Sequence, residues 1–446
     1  MEEMKDSTVI SNVVRLLYRA PYCNILMMGR FRGNIEINQL KMVLEQCTEK
    51  YPLLRTAIKQ DTSGNAGFYF NNISSIEVIQ FNKNNDNEWI DLAWKEQKKP
   101  FDLSNGPLVK FLLLNSSENS DIVVICHHAI SDGLSLVYLI KYIAQLLENK
   151  VLASEPFPVP PSLMMNNLKV KTLPDIITIA FIYLLNRLWN NNKTIFTDND
   201  YENLYNQYWE SRNINILQLN ISEKITKALI DQCHKKNVTV NSAIITAIAL
   251  AQYDLQGKAE SYLKKGLLAI NIRNLFIENP GENMGCLALG TQINLPGRDT
   301  FWNSAIKFNR KIKKLLFNPK EYLKFFAPLD YIEPSLLDSI YFTAHGTFKN
   351  KISNILKNII MTRNDKPKRS LDITNLGAIN TDDTAILETV QFIPILSMNY
   401  EKTIGIITTK SKMNLVIMHD SLQTNPVLIE NFRLKILDYI NLAIKE

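Results

Sequence analysis

Residues Asp121–Lys150 read DIVVICHHAISDGLSLVYLIKYIAQLLENK and combine an apolar run, a polar turn and an amphipathic segment. The apolar run, Ile122–Cys126, is mostly β-branched, as in a strand that is buried on both faces of a sheet. After Gly133 the apolar residues recur at helical spacing, at Val137, Ile140, Ile143 or Ala144, and Leu147. The pattern predicts a strand, a tight turn that carries His127 and His128, and a helix. Catalytic side chains tend to lie on such turns, so we interpret this stretch as the active site.

Length and composition indicate a globular chain with more than one core. A chain of 446 residues is too long for one ordinary core and suggests two domains or two halves. The hydrophobic content of 46% and the charged content of 21% are those of a soluble protein. The net charge of +6 fits an anionic partner such as a phosphorylated carrier or cofactor. Because 44 acidic residues nearly match the 50 basic ones along the chain, we expect no nucleic-acid partner.

The cysteines and the apolar segments predict where the protein is found. The five cysteines are scattered without CxxC spacing, which argues against a disulfide framework or a zinc site and favours a reducing compartment. The N-terminus lacks the layout of a signal peptide. The apolar segment Ile176–Trp189 is shorter than the roughly 20 residues that span a bilayer, so we expect a buried or interfacial helix. We therefore predict a cytoplasmic protein without a transmembrane segment.

The hydrophobic periodicity predicts strands and helices that alternate in both halves of the chain, which indicates two α/β halves. We expect an N-terminal half over residues 1–165, a crossover over 166–212 that follows the proline-rich Glu155–Ser162, and a C-terminal half over 213–446. The predicted strands are one ending at Gly33, one starting after Pro52, one ending at Leu114, Ile122–Cys126, Ile214–Asn220, Leu267–Arg273, Leu287–Leu295, Leu371–Ile379, Ile404–Thr408 and Met413–His419. The predicted helices are Ile35–Tyr51, the one after Gly133, one capped by Ser222, Ala243–Tyr253, Phe301–Leu316 and Val427–Ile444.

The histidine pair in the turn has the chemistry of a general base. A neutral imidazole, with a pKa near ~6.5, removes and returns a proton at physiological pH. A positioned base of this kind contributes roughly 10²–10⁴-fold in rate. Successive side chains of a strand point to opposite faces, so His127 and His128 cannot both face one cavity. We predict that His128 is the base and that His127 has a packing or hydrogen-bonding role on the other side.

The residues that follow the pair leave alternatives open. Asp132 could orient the imidazole, cap the helix or pair with an arginine. Gly133 allows a close backbone approach or a positive φ. An isolated histidine pair is more often structural or metal-bound than catalytic, but no further ligands with metal-site spacing are nearby, so we expect no metal. The other histidines, His234, His345 and His419, lack a partner pattern and are expected to be structural or surface residues.

The whole arrangement His127-His128-Ala-Ile-Ser-Asp132-Gly133 resembles the HHxxxDG motif of the CoA- or carrier-dependent acyltransferase superfamily. This superfamily includes nonribosomal peptide synthetase condensation domains, polyketide-associated acyltransferases and alcohol acetyltransferases. Further segments resemble family motifs in family order: Tyr51–Thr56, Gly106–Lys110, Ile270–Arg273 with Asn283–Gly285, and Thr374–Gly377. The resemblance therefore covers nearly the whole chain.

The resemblance implies an α/β (two-layer α+β) fold of two chloramphenicol-acetyltransferase-like halves that form a pseudo-dimer, with the active site in a tunnel at their interface. It implies an acyltransferase that uses an acyl thioester, either acyl-CoA or a phosphopantetheinyl carrier protein, and an alcohol or amine acceptor. No permanently bound cofactor is implied, and we expect a monomer. No carrier domain is found, so we expect any carrier protein to come from another chain.

The resemblance also implies roles for individual residues. His128 would be the base, and Asp132 would be structural in a salt bridge, for which Arg273 is the partner candidate. The residues that would support the active site are His127, Gly133 and Arg273, together with Thr374, Asn375 and Gly377 of the second half. No acyl-enzyme is expected, because the chain offers no GxSxG-like turn.

Several features qualify this interpretation. The Asp-Phe-Gly-Trp-Gly element of plant-type relatives is replaced by Leu371–Ile379, which favours bacterial stand-alone acyltransferases. Cys286 stands where many relatives have asparagine. The basic face of Phe301–Leu316 is either solvated or a docking surface for an acidic carrier or CoA phosphates. The alternative functions are a wax-ester or diacylglycerol type of acyltransferase and, from another class, an inactive condensation-like module that binds carrier proteins.

Overall fold

The computed structural model describes residues 8–150, 155–257, 261–361, 369–396 and 400–446. Up to residue 150 these residues form β1 Thr8–Val9, α1 Asn12–Tyr18, β2 Asn24–Arg32, α2 Ile37–Lys50, β3 Ala57–Gln60, β4 Ala66–Tyr69, β5 Glu77–Asn82, α3 Glu88–Gln97, β6 Val109–Asn115, β7 Asn119–His127 and α4 Gly133–Leu147. The strand, turn and helix expected around His128 are therefore β7, the turn and α4.

The rest of the described chain is also mixed α/β. Its elements are α5 Ile176–Asn190, α6 Asp198–Glu210, β8 Ile214–Ile221, α7 Glu223–Lys235, α8 Val240–Gln256, β9 Lys265–Asn271, β10 Ala288–Asn294, α9 Phe301–Phe317, α10 Lys320–Leu323, α11 Pro334–His345, α12 Lys351–Ile360, β11 Arg369–Ile379, β12 Leu387–Ile393, β13 Tyr400–Thr409, β14 Lys412–Asp420 and α13 Pro426–Lys445. The predicted α/β class is confirmed.

Two large sheets organise these elements. The first sheet has the order β12-β2-β7-β6-β5, and the second has the order β10-β9-β11-β13-β14-β8. A small third sheet has the order β1-β4-β3. The hairpin expected before the histidine turn is present, since β6 and β7 pair antiparallel with Val109 opposite Cys126. In the second sheet β11 runs parallel to both β9 and β13.

Strand β12 belongs to the sheet of the other half. It lies late in the chain but pairs antiparallel with β2, with Ile393 opposite Leu26. The chain thus crosses from the second sheet to the edge of the first and then returns to the second. We had not predicted a strand here, because hydrophobic periodicity does not report which sheet a strand joins.

Strand alternation distributes the apolar residues of the first sheet over two cores. One face, with Ile25, Phe111 and Val124, packs in the core that also contains residues of α2 and α4. The opposite face, with Leu26 and Val123, packs with residues of α3 and of the second sheet. The other side of the second sheet packs against residues of α7, α8, α9 and α13. The two sheets therefore share a buried apolar contact.

Two local features differ from the expectation. The strand expected to end at Gly33 is present as β2, but the helix α1 before it, which Ser11 caps through its hydroxyl, was not predicted. A 3₁₀ turn, Pro52–Arg55, separates α2 from the next strand, which we had expected to start directly. Among the described residues no single helix is long and apolar enough to cross a membrane, whereas one bent pair, α7 with α8, meets that test by length and composition only.

Candidate active site

The histidine turn connects the end of β7 to the start of α4. His127 is the last residue of β7, and the amide of His128 donates a hydrogen bond to the carbonyl of Cys23 at 2.8 Å. Asp132 is the N-cap of α4, and its carboxylate accepts from the amide of Ser135 at 2.8 Å. A backbone hydrogen bond at one end and a side-chain helix cap at the other thus hold the turn.

His128 is half-buried, and one of its ring nitrogens bonds the backbone of the turn. Its Nδ1 lies 2.7 Å from the carbonyl oxygen of Ser131. A carbonyl oxygen only accepts hydrogen bonds, so in the neutral ring Nδ1 carries the proton and Nε2 keeps its lone pair. The residue lines a cavity of about 260 Å³. The turn therefore supplies an imidazole whose tautomer suits proton removal by Nε2.

His127 points away from that cavity and is fully buried. Its Nε2 lies 3.0 Å from the sulfur of Cys23, and the ring of Phe101 approaches it edge-on at 6.4 Å. Burial, followed by the proximity of His128, lowers the pKa of His127 to about 3. His127 is thus neutral at physiological pH and occupies a structural position.

Asp132 pairs with Arg273, which follows β9 of the second sheet. The guanidinium donates from Nη1 to Oδ2 at 2.9 Å and from Nη2 to Oδ1 at 3.0 Å. Both residues are buried. Of the three roles left open for Asp132, the structure has two, helix cap and ion pair. Among the described residues no hydrogen bond joins its carboxylate to the imidazole of His128.

Further donors complete the surroundings of the Asp132 carboxylate. The hydroxyl of Ser135 donates to it at 2.9 Å, and the amide of Leu287 donates at 3.1 Å. Ser135 in turn accepts from Arg273 at 2.8 Å and from the amide of Gly285 at 3.2 Å. We had not singled out Ser135, and the local signal for it is only that it lies three residues after Asp132, where the backbone amide bonds an N-cap side chain. The network joins the turn to the loop before β10.

Gly133 allows a close contact between the two halves. A Cβ at this position would lie 2.7 Å from a methyl carbon of Leu376 and 3.2 Å from the ring of Phe392. Its φ is not in the left-handed region, so of the two roles considered the structure supports close approach. Leu376 belongs to β11 of the second sheet, and Phe392 belongs to β12.

The cavity is lined by elements of both large sheets and is largely apolar. Side chains of α1, β2 and the histidine turn meet side chains of β9, β10, β11 and the end of β12. The polar residues among its lining are His128, Asp132, Asn271, Cys286, Asp372, Thr374 and Asn375. Asp372 was not among our candidates, because a single acid within an apolar strand pattern carries no motif.

Of the other residues expected at the site, some line the cavity and some do not. Asn375 lines it and donates to the side chain of Asn241 at 3.0 Å. Gly377 is exposed, has a φ of 78° within an irregularity of β11, and does not line the cavity. Cys286 lines it, and burial raises the pKa of this thiol to about 12. Among the described residues no group of three or more His, Cys, Asp or Glu side chains could hold a metal ion.

Comparison with known protein families gives a match for the part of the chain that contains the histidine turn. Residues 16–161 match the condensation-domain family. For this third of the chain the match confirms the resemblance inferred from the sequence. The beauvericin nonribosomal cyclodepsipeptide synthetase of Gibberella fujikuroi is 29% identical over 150 residues, which are 32% of this chain and 5% of that protein. The cyclosporin synthetase of Tolypocladium inflatum is 24% identical over 138 residues, 31% of this chain and 1% of that protein.

Solved structures extend the likeness in fold to the whole chain. The trichothecene 15-O-acetyltransferase of Fusarium sporotrichioides has a TM-score of 0.63 at 12% identity, covering 98% of this chain and 94% of its own. The first condensation domain of the CDA synthetase has a TM-score of 0.62 at 11% identity, covering 98% and 96%. An epimerization domain of tyrocidine synthetase B has a TM-score of 0.60 at 14% identity, covering 100% and 98%. The chain thus has the fold of condensation domains along its full length.

Proposed function

We propose that the protein is an acyltransferase that moves an acyl group from an acyl thioester to a hydroxyl or amine acceptor. The observation that carries the proposal is the geometry of His128. Its Nδ1 is held 2.7 Å from the Ser131 carbonyl, and the residue lines a cavity between the two halves. The thioester would be that of CoA or of a phosphopantetheinyl carrier protein.

In the proposed reaction Nε2 of His128 takes the proton of the acceptor as its oxygen or nitrogen attacks the thioester carbonyl. The new ester or amide bond forms as the C–S bond breaks, and the thiolate takes up the proton from the imidazolium. The Ser131 carbonyl stabilises the imidazolium, because it accepts the Nδ1 hydrogen bond throughout. This is general base catalysis that returns the proton to the leaving group.

Two other groups at the cavity, the thiol of Cys286 and the carboxylate of Asp132, are unsuited to act on a substrate as nucleophile or base. Cys286 could in principle form an acyl-enzyme, but burial raises the pKa of its thiol to about 12, which keeps it protonated and weakly nucleophilic. The Asp132 carboxylate is engaged by Arg273, Ser135 and Leu287, so it lacks a free lone pair directed at a substrate. We therefore propose direct transfer, with Asp132 and Arg273 as positioning residues.

The comparisons support the class of reaction, but they do not determine which of the reactions found with this fold the chain catalyses. The condensation-domain match and the acetyltransferase neighbour favour acyl transfer or condensation. An epimerization domain shares the same fold, so the fold alone does not determine the reaction. A wax-ester type of acyltransferase would use the same base with a longer acceptor. A module that only binds carrier proteins is less favoured, because it has no use for an oriented imidazole at a cavity.

The test is release of free thiol from a panel of acyl-CoA and acyl-phosphopantetheinyl carrier thioesters, with 1-hexanol and 1-hexylamine as acceptors. His128→Ala should lower turnover by roughly 10²–10⁴-fold. His234→Ala, at an exposed histidine outside the cavity, is the matched control and should keep wild-type turnover. Wild-type turnover by His128→Ala would overturn the assignment of the base. Exchange of the Cα proton of an aminoacyl thioester without acyl transfer would identify an epimerase instead.

A further inference from the structure

Asp372 projects from the second sheet into the cavity. It lies on β11 between Leu371 and Ile373, which are both fully buried in the core on the far side of that sheet. Side chains alternate along a strand, so Asp372 and Thr374 point to the opposite side, where both line the cavity with His128. The Asp372 carboxylate therefore belongs to the same cavity as the proposed base.

This carboxylate differs from the other buried aspartates that the structure describes. Each of the others has a cationic partner within 3.1 Å: Asp121 with Arg30, Asp132 with Arg273, Asp338 with Arg15, and Asp420 with Arg212. Asp372 is only 7% exposed, and no hydrogen bond or ion pair joins its side chain to another described residue. Its oxygens are not among the fully buried side-chain atoms that lack a partner, so the carboxylate can be reached from the cavity, where a ligand of opposite charge would offset the cost of its burial.

The neighbours of Asp372 do not supply that partner. Opposite it in the sheet are Leu267 on β9 and Thr403 on β13. The hydroxyl of Thr403 is itself buried without a hydrogen-bond partner. One cation that influences the carboxylate is Arg369, whose guanidinium donates to the Tyr400 hydroxyl at 3.2 Å and to Gln292 at 3.0 Å. Among the described residues no side chain bonds the Asp372 carboxylate, and the space beside it is the cavity.

We propose that Asp372 binds a protonated amine carried by a substrate that occupies this cavity. The inference rests on the acyltransferase proposal and deepens it by naming a substrate class. An ammonium group would donate charge-assisted hydrogen bonds to the carboxylate and would supply the opposite charge that a desolvated anion lacks. The surrounding Leu267, Ala269 and Leu289 would contact an aliphatic chain between the ammonium and the reacting group.

The cavity has room for such a group. Its volume is about 260 Å³, and a short unbranched chain with an ammonium at one end fits such a space. The substrate group recognised here is thus a small aminoalkyl group.

The test measures binding of 1-pentylammonium and of neutral 1-pentanol to the full chain by calorimetry at pH 7.5. The wild type should bind pentylammonium roughly 10–100-fold more tightly than pentanol, as expected for a hydrogen bond to a charged group. Asp372→Asn should lose this preference and bind pentanol as the wild type does. Asp382→Asn, which removes an exposed carboxylate outside the cavity, should bind both probes like the wild type.

Three results would overturn the proposal: equal binding of both probes by the wild type, no saturable binding of pentylammonium, or an unchanged preference in Asp372→Asn. The asparagine variant is nearly isosteric, and its circular dichroism melting curve shows whether it folds. His128→Ala should retain the ammonium preference. A failure of acyl transfer is therefore distinguishable from a failure of the ammonium site, because the binding experiment does not require turnover.

Discussion

Asp132 and Arg273 form a buried, bidentate ion pair across 141 residues of chain, with N–O distances of 2.9 and 3.0 Å. The carboxylate caps α4 beside the first sheet, and the guanidinium follows β9 of the second. The pair therefore ties the histidine turn to the end of β9 in the second sheet. The position of His128 relative to the second sheet depends on this connection.

Removal of the arginine should destabilise the protein strongly. Arg273→Ala leaves the Asp132 carboxylate buried without its cation, which costs about 3–5 kcal/mol of unfolding free energy. Urea unfolding followed by circular dichroism measures the change. Arg433→Ala is the control, because Arg433 pairs with Glu430 at the surface and should contribute less than about 1 kcal/mol. A loss for Arg273→Ala no larger than that of the control would contradict a stabilising role.

A methyl group at Gly133 should disturb the contact between the halves. In Gly133→Ala the new Cβ would lie 2.7 Å from a methyl carbon of Leu376, and overpacking of this kind costs about 1–3 kcal/mol. The double variant Gly133→Ala/Leu376→Ala should recover part of the thioester turnover that the single variant loses. Gly297→Ala, where nothing lies within 4 Å, should behave like the wild type. Equal turnover by the single and double variants would show that the close approach is unimportant.

The buried histidine His127 should make the protein less stable in acid. Its pKa is about 3 in the folded state against an ordinary value of 6.5, so only the unfolded chain gains its proton as the pH falls below 6.5. Between pH 7.5 and 5 this linkage lowers the unfolding free energy by about 2 kcal/mol. In His127→Asn the decrease in unfolding free energy between pH 7.5 and 5 should be smaller by this contribution. Urea unfolding at both pH values measures it.

His345 has a pKa of about 3 for the same main reason, burial, and should contribute a similar decrease. His234→Asn, at an exposed histidine, should leave the pH dependence unchanged. If His127→Asn shows the full wild-type decrease, His127 is protonated in the folded state and the assignment is wrong.

Asp372 should make the protein less stable at higher pH. Burial raises the pKa of its carboxyl from 3.8 to about 7, against the opposing effect of Arg369. The unfolded chain therefore loses this proton first, and stability falls between pH 4 and 7. The unfolding free energy of Asp372→Asn should exceed that of the wild type by on the order of 3 kcal/mol at pH 8. At pH 4 the two unfolding free energies should be closer to each other.

Urea unfolding at both pH values checks this prediction, with Asp382→Asn as the exposed control. An asparagine variant that is no more stable than the wild type at pH 8 would mean that the carboxylate is already solvated or paired. Addition of 1-pentylammonium should raise the unfolding free energy of the wild type more than that of Asp372→Asn, because the ligand binds only the folded state.

Local patterns in the sequence were enough to predict the strand, turn and helix around His128. A buried strand and an amphipathic helix each have a period that depends only on neighbours along the chain. The same local reasoning predicted that His127 and His128 face opposite ways, which the structure shows. It did not predict the short helix α1 before β2, whose N-cap is Ser11.

Local sequence patterns are therefore sufficient to predict the form of the histidine turn and the residue types available there. Tertiary structure decided which distant groups meet it: Arg273 on Asp132, Leu376 against Gly133, and Asp372 across the cavity. These contacts depend on sheet order and strand register, including the crossing of β12 to the first sheet. Such pairings arise from burial of whole faces, and no short stretch of sequence encodes them.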